Sequence, residues 1–84
     1  MALKVMIEEE TIHAQVARMI YEARARAGVT QQQLADLVGT KQSVIARLED
    51  ADYEGHSLTM LQRIATALHQ RLVIHLGPAG EKVS

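Results

Sequence analysis

The stretch that decides the fold runs from Thr30 to Glu49 and reads TQQQLADLVGTKQSVIARLE. It contains two short amphipathic segments separated by Gly39, a residue that adopts the positive φ of a tight turn without steric cost. Ala35 is small enough for two helices to approach closely, and Ile45 is placed to fill the core between them. The other inward positions are also apolar: Leu34, Val38 and Leu48. This spacing predicts a helix-turn-helix.

Capping residues and hydrophobic periodicity predict four helices around this motif. An apolar row with three- and four-residue steps predicts a long first helix that starts near Glu9 and ends at Gly28. The second helix starts after Thr30, where a glutamine three residues later completes a capping-box pattern. Thr40 and Ser57 are the expected caps of the third and fourth helices.

Strand signals lie only at the two ends of the chain. Residues 71–76 alternate and include β-branched side chains, which predicts a strand that Gly77 and Pro78 terminate. Residues 1–8 form an arm that is either a short strand or the frayed start of the first helix. We expect one domain over residues 1–84, with a helix-turn-helix part at 9–69, a C-terminal strand within 70–77 and a tail at 78–84. The predicted class is all-α, a four-helix core with a short C-terminal β-strand.

The composition excludes several classes of function. The 84 residues include no cysteine, so disulfide scaffolds and thiolate sites are excluded. The four histidines lack the spacing of metal ligands, and no nucleophile is paired with a base, so we expect no metal, no cofactor and no enzymatic activity. No apolar run is long enough for a membrane span and the N-terminus does not resemble a signal peptide, which predicts a cytoplasmic protein.

The net charge of −1 conceals an uneven distribution. Residues 18–47 hold five basic side chains against two acidic ones, whereas the rest of the chain holds four basic and eight acidic ones. A local basic segment that coincides with the helix-turn-helix is consistent with contact to a polyanion.

In this stretch, and in the helix SLTMLQRIATAL that follows at 57–68, the chain resembles the XRE family of lambdoid phage repressor and Cro proteins. The resemblance spans roughly residues 10–70. It implies a lambda-repressor-like fold whose third helix enters the major groove of double-stranded DNA. The positions that match the family's groove-facing residues are Lys41, Gln42, Ser43 and Arg47. Gln31 matches a glutamine that contacts phosphate, and Arg24 and Glu49 match a buried ion pair.

The residue types fit that role. Glutamine pairs with two atoms of adenine and arginine with two atoms of guanine, whereas Lys41 suits a phosphate or a neighbouring guanine. The alternative for Gln42, Ser43 and Arg47 is an ordinary solvated helix face, and Gln31 could simply be part of a polar first turn.

The loop after the motif departs from the family. Asp50, Asp52 and Glu54 stand where many members carry basic residues that contact the DNA backbone. Either this loop points away from DNA, or only Tyr53 and backbone amides touch it.

A single recognition helix buries too little surface for tight specific binding, so we expect a homodimer. The C-terminal strand would have an unpaired edge, and its two-fold pairing would bury Leu72, Ile74 and Leu76. The run from Asp52 to Leu76 also resembles HigA- and HipB-like antitoxins. That resemblance implies a repressor of its own operon with a cognate toxin as partner. The alternative is an interaction module that neutralises a partner without binding DNA.

Overall fold

The computed structural model of the protein describes residues 2–6 and 12–77, in which four helices lie between two short strands. In chain order the elements are β1 Ala2–Met6, α1 Ile12–Ala27, α2 Gln31–Val38, α3 Gln42–Leu48, α4 Leu58–Ala67 and β2 Arg71–His75. The expected helix start near Glu9 and the tail at 78–84 lie outside the described residues. Within the described residues, no helix is long and apolar enough to cross a lipid bilayer.

The helix ends follow from their capping residues. Thr30 Oγ1 accepts a 3.0 Å hydrogen bond from the amide of Gln33, and Gln33 Oε1 accepts a 2.8 Å bond from the amide of Thr30. The predicted capping box at α2 is therefore confirmed. Gly39 ends α2 in the left-handed conformation at φ 85° and ψ 37°. Ser57 caps α4 by accepting a 3.1 Å bond from the amide of Met60, as predicted.

The predicted cap of α3 was wrong. Its N-cap is Lys41, with extended backbone and no capping bond from its side chain, rather than Thr40. The amide of Thr40 instead donates a 2.9 Å bond to the carbonyl of Ala35, alongside the amide of Gly39 at 2.8 Å. Thr40 is thus part of the turn that closes α2, and α3 begins two residues later.

Each helix supplies one large, fully buried aliphatic side chain to the centre of the core. These are Ile20 from α1, Leu34 from α2, Ile45 from α3 and Ile64 from α4. Burying each contributes about 1.5–3 kcal/mol relative to leaving it exposed. Ala35 is also completely buried, so α2 lies close to its neighbours. The four-helix arrangement predicted for the helix-turn-helix is confirmed.

The two strands form one parallel sheet within the chain. The register pairs Ala2 with Arg71 and Met6 with His75. β1 of the same chain occupies one of the two edges of the C-terminal strand, so the expected pairing with a second copy would use the other edge. Parallel strands need a long crossover connection. The four helices between β1 and β2 provide this crossover. The alternating pattern of the short N-terminal arm does not by itself reveal that the arm pairs with β2.

Candidate nucleic-acid interface

The outer face of α3 is polar and exposed, whereas its inner face is fixed in the core. Ile45 is 0% exposed and Leu48 is 4% exposed, so the rotation of the helix about its axis is set by packing. The side chains at the N-terminus and on the outer face are all exposed: Lys41, Gln42, Ser43 and Arg47. The structure therefore brings the four predicted groove-facing residues onto one accessible surface.

Gln31 is the fifth predicted DNA-binding residue, and its side-chain amide forms hydrogen bonds with the side chains of two other residues, Gln42 and Glu49. Its Oε1 accepts a 2.6 Å hydrogen bond from Nε2 of Gln42 in α3. Its own Nε2 donates a 3.1 Å bond to Oε1 of Glu49. Gln31 is half-buried, and one of its amide hydrogens has no role in these two bonds. That hydrogen is the part of Gln31 that a phosphate could use.

Glu49 forms an ion pair with Arg24 that joins α1 to the end of α3. Arg24 Nε donates to Oε2 at 2.7 Å and Nη2 donates to Oε1 at 3.0 Å, an arrangement with two parallel bonds. The side chains of Arg24 and Glu49 are 14% and 5% exposed, respectively. The pair is consequently shielded from the screening that weakens surface ion pairs.

Arg24 makes two further contacts that fix its position. Its Nη1 donates a 3.0 Å bond to the carbonyl of Val29, and its guanidinium lies 5.4 Å from the centroid of the Tyr21 ring. The hydrogen bond to Glu49 raises the pKa of Arg24 above its ordinary value. A raised pKa means that the stabilisation by this charge is complete below the ordinary value and is lost only as pH rises through the raised one. Arg24 is therefore charged throughout the neutral range.

Together these bonds orient the Gln42 amide. Glu49 only accepts, so Gln31 must turn its NH2 group towards Glu49 and its oxygen towards Gln42. Gln42 must then turn its own NH2 group towards Gln31. The carbonyl oxygen and the second N–H of Gln42 are left for another partner. We call this series of bonds, from Arg24 through Glu49 and Gln31 to Gln42, the relay.

The acidic loop is held to the core by its other residues. Asp50, Asp52 and Glu54 are exposed, whereas Tyr53 packs against the hydrophobic core. His56 Nε2 donates a 2.7 Å bond to the carbonyl of Leu48 at the end of α3. The Tyr53 ring therefore contributes to packing here.

The three predicted dimer residues have different surroundings. Leu72 is half-buried and packs against the core of its own chain. Ile74 is 43% exposed and Leu76 is 75% exposed. The apolar face of the C-terminal segment is thus only partly covered.

Sequence reasoning missed the bond between Gln31 and Glu49 and the contact of Tyr21 with Arg24. Gln31 and Glu49 are 18 residues apart, so no local pattern pairs them. A half-buried glutamine beside a carboxylate could be anticipated only once the helices had been placed in space.

A family model described as helix-turn-helix matches residues 20–73, which is more than half of the chain. No curated protein matches the chain.

Proposed function

The chain belongs to the XRE type of the helix-turn-helix family, a family of DNA-binding transcription regulators, and on that premise we propose that it is a dimeric, sequence-specific repressor. The observation that carries the proposal is the exposed polar face of α3 opposite its buried face. The exposure of the polar side chains of α3 supports a role for it as the recognition helix.

Gln42 is the base-reading residue whose geometry is most restricted. An adenine edge offers a donor at N6 and an acceptor at N7. The Gln42 amide has an oxygen and one N–H left after its bond to Gln31, which are the two groups that adenine needs. Arg47 at the other end of the face suits guanine O6 and N7. Ser43 lies between them, and Lys41 is placed at the N-terminus of α3 for a phosphate or a neighbouring guanine.

The exposed apolar end of the C-terminal segment supports dimerisation. A two-stranded sheet is marginal by itself, and parallel sheets are normally covered. Beyond β1, residues 12–77 contain no strand that pairs with β2. A second copy related by a two-fold axis would add its own β2 at that edge and cover Ile74 and Leu76. This gives a four-stranded sheet with the two copies of β2 at its centre.

Binding to the DNA immediately upstream of its own gene tests the DNA-binding and autoregulatory parts of the proposal. Fluorescence anisotropy with a labelled duplex at about 50 mM and about 200 mM salt should show a steep loss of affinity with salt. An unrelated duplex should not compete. Gln42→Ala and Arg47→Ala should each weaken binding by about 1–3 kcal/mol without unfolding the protein, because both side chains are exposed.

The result that would contradict the proposal is an absence of salt-sensitive binding at low salt, for this DNA and for a random duplex library. That outcome would support the alternative function, an interaction module that neutralises a partner. The acidic loop, with Asp50, Asp52 and Glu54 exposed, is the feature that favours this alternative.

The antitoxin role is the second part of the proposal. It is supported by the resemblance of the run from Asp52 to Leu76 to HigA- and HipB-like antitoxins. The first helix also has a surface open to a protein partner. A cleft of about 430 Å³ lies between α1 and the residues after α3, where Ala14, Ala17 and Ala51 leave room beside the exposed ring of Tyr21.

Co-expression tests the antitoxin role separately from DNA binding. The product of the adjacent gene should arrest growth when produced alone and lose this effect when this chain is produced with it. Ala14→Glu should abolish the rescue by filling the cleft, while operator binding persists. Gln62→Glu, a similar change at an exposed position of α4, is the control. If cells continue to grow when they produce the adjacent gene product alone, that product is not a toxin and the antitoxin role for this pair is excluded.

A further inference from the structure

A guanidinium from α4 reaches the turn of the helix-turn-helix. Arg63 Nη2 donates a 2.6 Å hydrogen bond to the carbonyl oxygen of Val38, the last residue of α2. The two residues are 25 positions apart, and nothing in the motif from Thr30 to Glu49 indicates the contact.

The carbonyl that Arg63 binds is at a sensitive point of the fold. The last carbonyls of a helix have no intrahelical partner and must be satisfied from elsewhere. Here the amides of Gly39 and Thr40 both turn back to the carbonyl of Ala35. The carbonyl of Val38 is bonded by the α4 guanidinium instead. A positive charge at this end of α2 also interacts favourably with the helix dipole.

Arg63 is itself attached to a rigid support. The next residue in the chain, Ile64, is 0% exposed, and Leu61 on the same helix is 4% exposed. The backbone of α4 is therefore fixed in the core below α2. The guanidinium extends from this support across the turn, where it would lie 3.7 Å from a Cβ added at Gly39.

We propose that Arg63 is a positioning residue for DNA recognition, which holds the turn between α2 and α3 and thereby sets the direction of α3. The inference rests on the DNA-binding function proposed above. A recognition helix must present its side chains in register with several base edges at once, and apparent affinity falls with the fraction of molecules that hold the competent arrangement. Binding that relies on phosphates alone tolerates a less exact placement.

Three variants test the proposal in the full chain. Arg63→Met removes the donor but keeps an unbranched apolar stem. Arg63→Lys retains a cationic donor. One donor is sufficient, because Arg63 gives a single hydrogen bond to the carbonyl of Val38. Arg18→Met is the control, because it removes the same charge from an exposed side chain on α1.

Arg63→Met should lower the affinity for the upstream DNA on the order of tenfold, since hydrogen bonds from charged donors are among the stronger ones. The affinity for an unrelated duplex should not change, and neither should the salt dependence of binding. The ratio of specific to non-specific affinity should therefore fall. Arg63→Lys should restore most of that ratio. If the slope of log affinity against log salt concentration became shallower by about one, the variant would have lost a phosphate contact. That result would identify Arg63 as a phosphate-binding residue and overturn the proposal.

Hydrogen exchange provides a readout that does not need DNA. In Arg63→Met, the amides of Gly39 and Thr40 should exchange on the order of tenfold faster, whereas the amide of Ile20 in α1 should keep its rate. Unchanged exchange at the turn overturns the inference even if the protein binds DNA. Faster exchange in a protein that binds no DNA would show that Arg63 holds the turn, but it would reject both the proposed function and the role of Arg63 in DNA recognition.

Discussion

Gln42 in α3 donates a 2.6 Å hydrogen bond to Gln31 in α2, so that one candidate base-reading side chain is oriented before any DNA is bound. Gln31 is oriented in turn by the carboxylate of Glu49. A side chain whose orientation is already fixed loses less entropy on binding. The first prediction concerns this bond.

Gln31→Met should remove both bonds of Gln31 and leave the Gln42 amide free to rotate. We expect operator affinity to fall by about 1 kcal/mol. The effect of Gln42→Ala should then be smaller in the Gln31→Met background than in the wild type, with a coupling energy of about 0.5–1.5 kcal/mol. Anisotropy titrations of the wild type, the two single variants and the double variant measure the coupling energy in a double-mutant cycle. Strict additivity would show that the bond has no role in recognition.

Glu49→Gln should destabilise the fold, because it leaves the shielded Arg24 without its counter-charge. The expected loss in the free energy of unfolding is about 3 kcal/mol, as for other buried pairs with one partner removed. Urea denaturation followed by circular dichroism measures it. Glu22→Gln is the matched control, since it breaks the exposed pair with Arg18 and should leave the midpoint unchanged. A similar loss in the free energy of unfolding in both variants would show that burial of the Arg24–Glu49 pair does not make it the more important of the two pairs.

Gly39→Ala should destabilise the protein by about 1–2 kcal/mol, because alanine must adopt a positive φ there. The cost is conformational rather than steric, since the nearest atom to an added Cβ lies 3.7 Å away. Gly39→Asn should therefore cost less than Gly39→Ala, because asparagine tolerates the left-handed region better. Thermal unfolding of the two variants gives the comparison. An asparagine variant less stable than the alanine variant would point to crowding instead.

Leu76→Asp should convert a dimer to a monomer with little effect on the stability of the protomer, because this side chain is 75% exposed. Leu37→Asp is the control at another exposed leucine, 60% exposed on α2. Sedimentation equilibrium distinguishes the two states. A Leu76→Asp protein that stays dimeric, or a dimer that persists after truncation beyond His69, would exclude the C-terminal segment as the interface.

The cap of α3 shows where prediction from sequence reached its limit. Thr40 has the side chain that favours a cap, and a local pattern cannot distinguish it from its neighbour. In the folded chain Thr40 belongs to the turn that closes on the carbonyl of Ala35, and the extended residue before α3 is Lys41. By contrast, Thr30 and Ser57 were predicted correctly, since each forms its capping bond with an amide only three residues away.

The sequence by itself determined the helices, their inward faces and the outward position of Lys41, Gln42, Ser43 and Arg47. Those features follow from the period of the helix and from the small set of residues that suit a tight turn, both of which are local. Tertiary structure decided which polar groups meet. The relay joins residues 24, 49, 31 and 42 from three helices, and Arg63 reaches Val38 from a fourth. It also decided that β2 pairs with β1, because the strand ends meet only after the four helices have packed. These contacts depend on the relative placement of distant segments, which the packing of the core establishes.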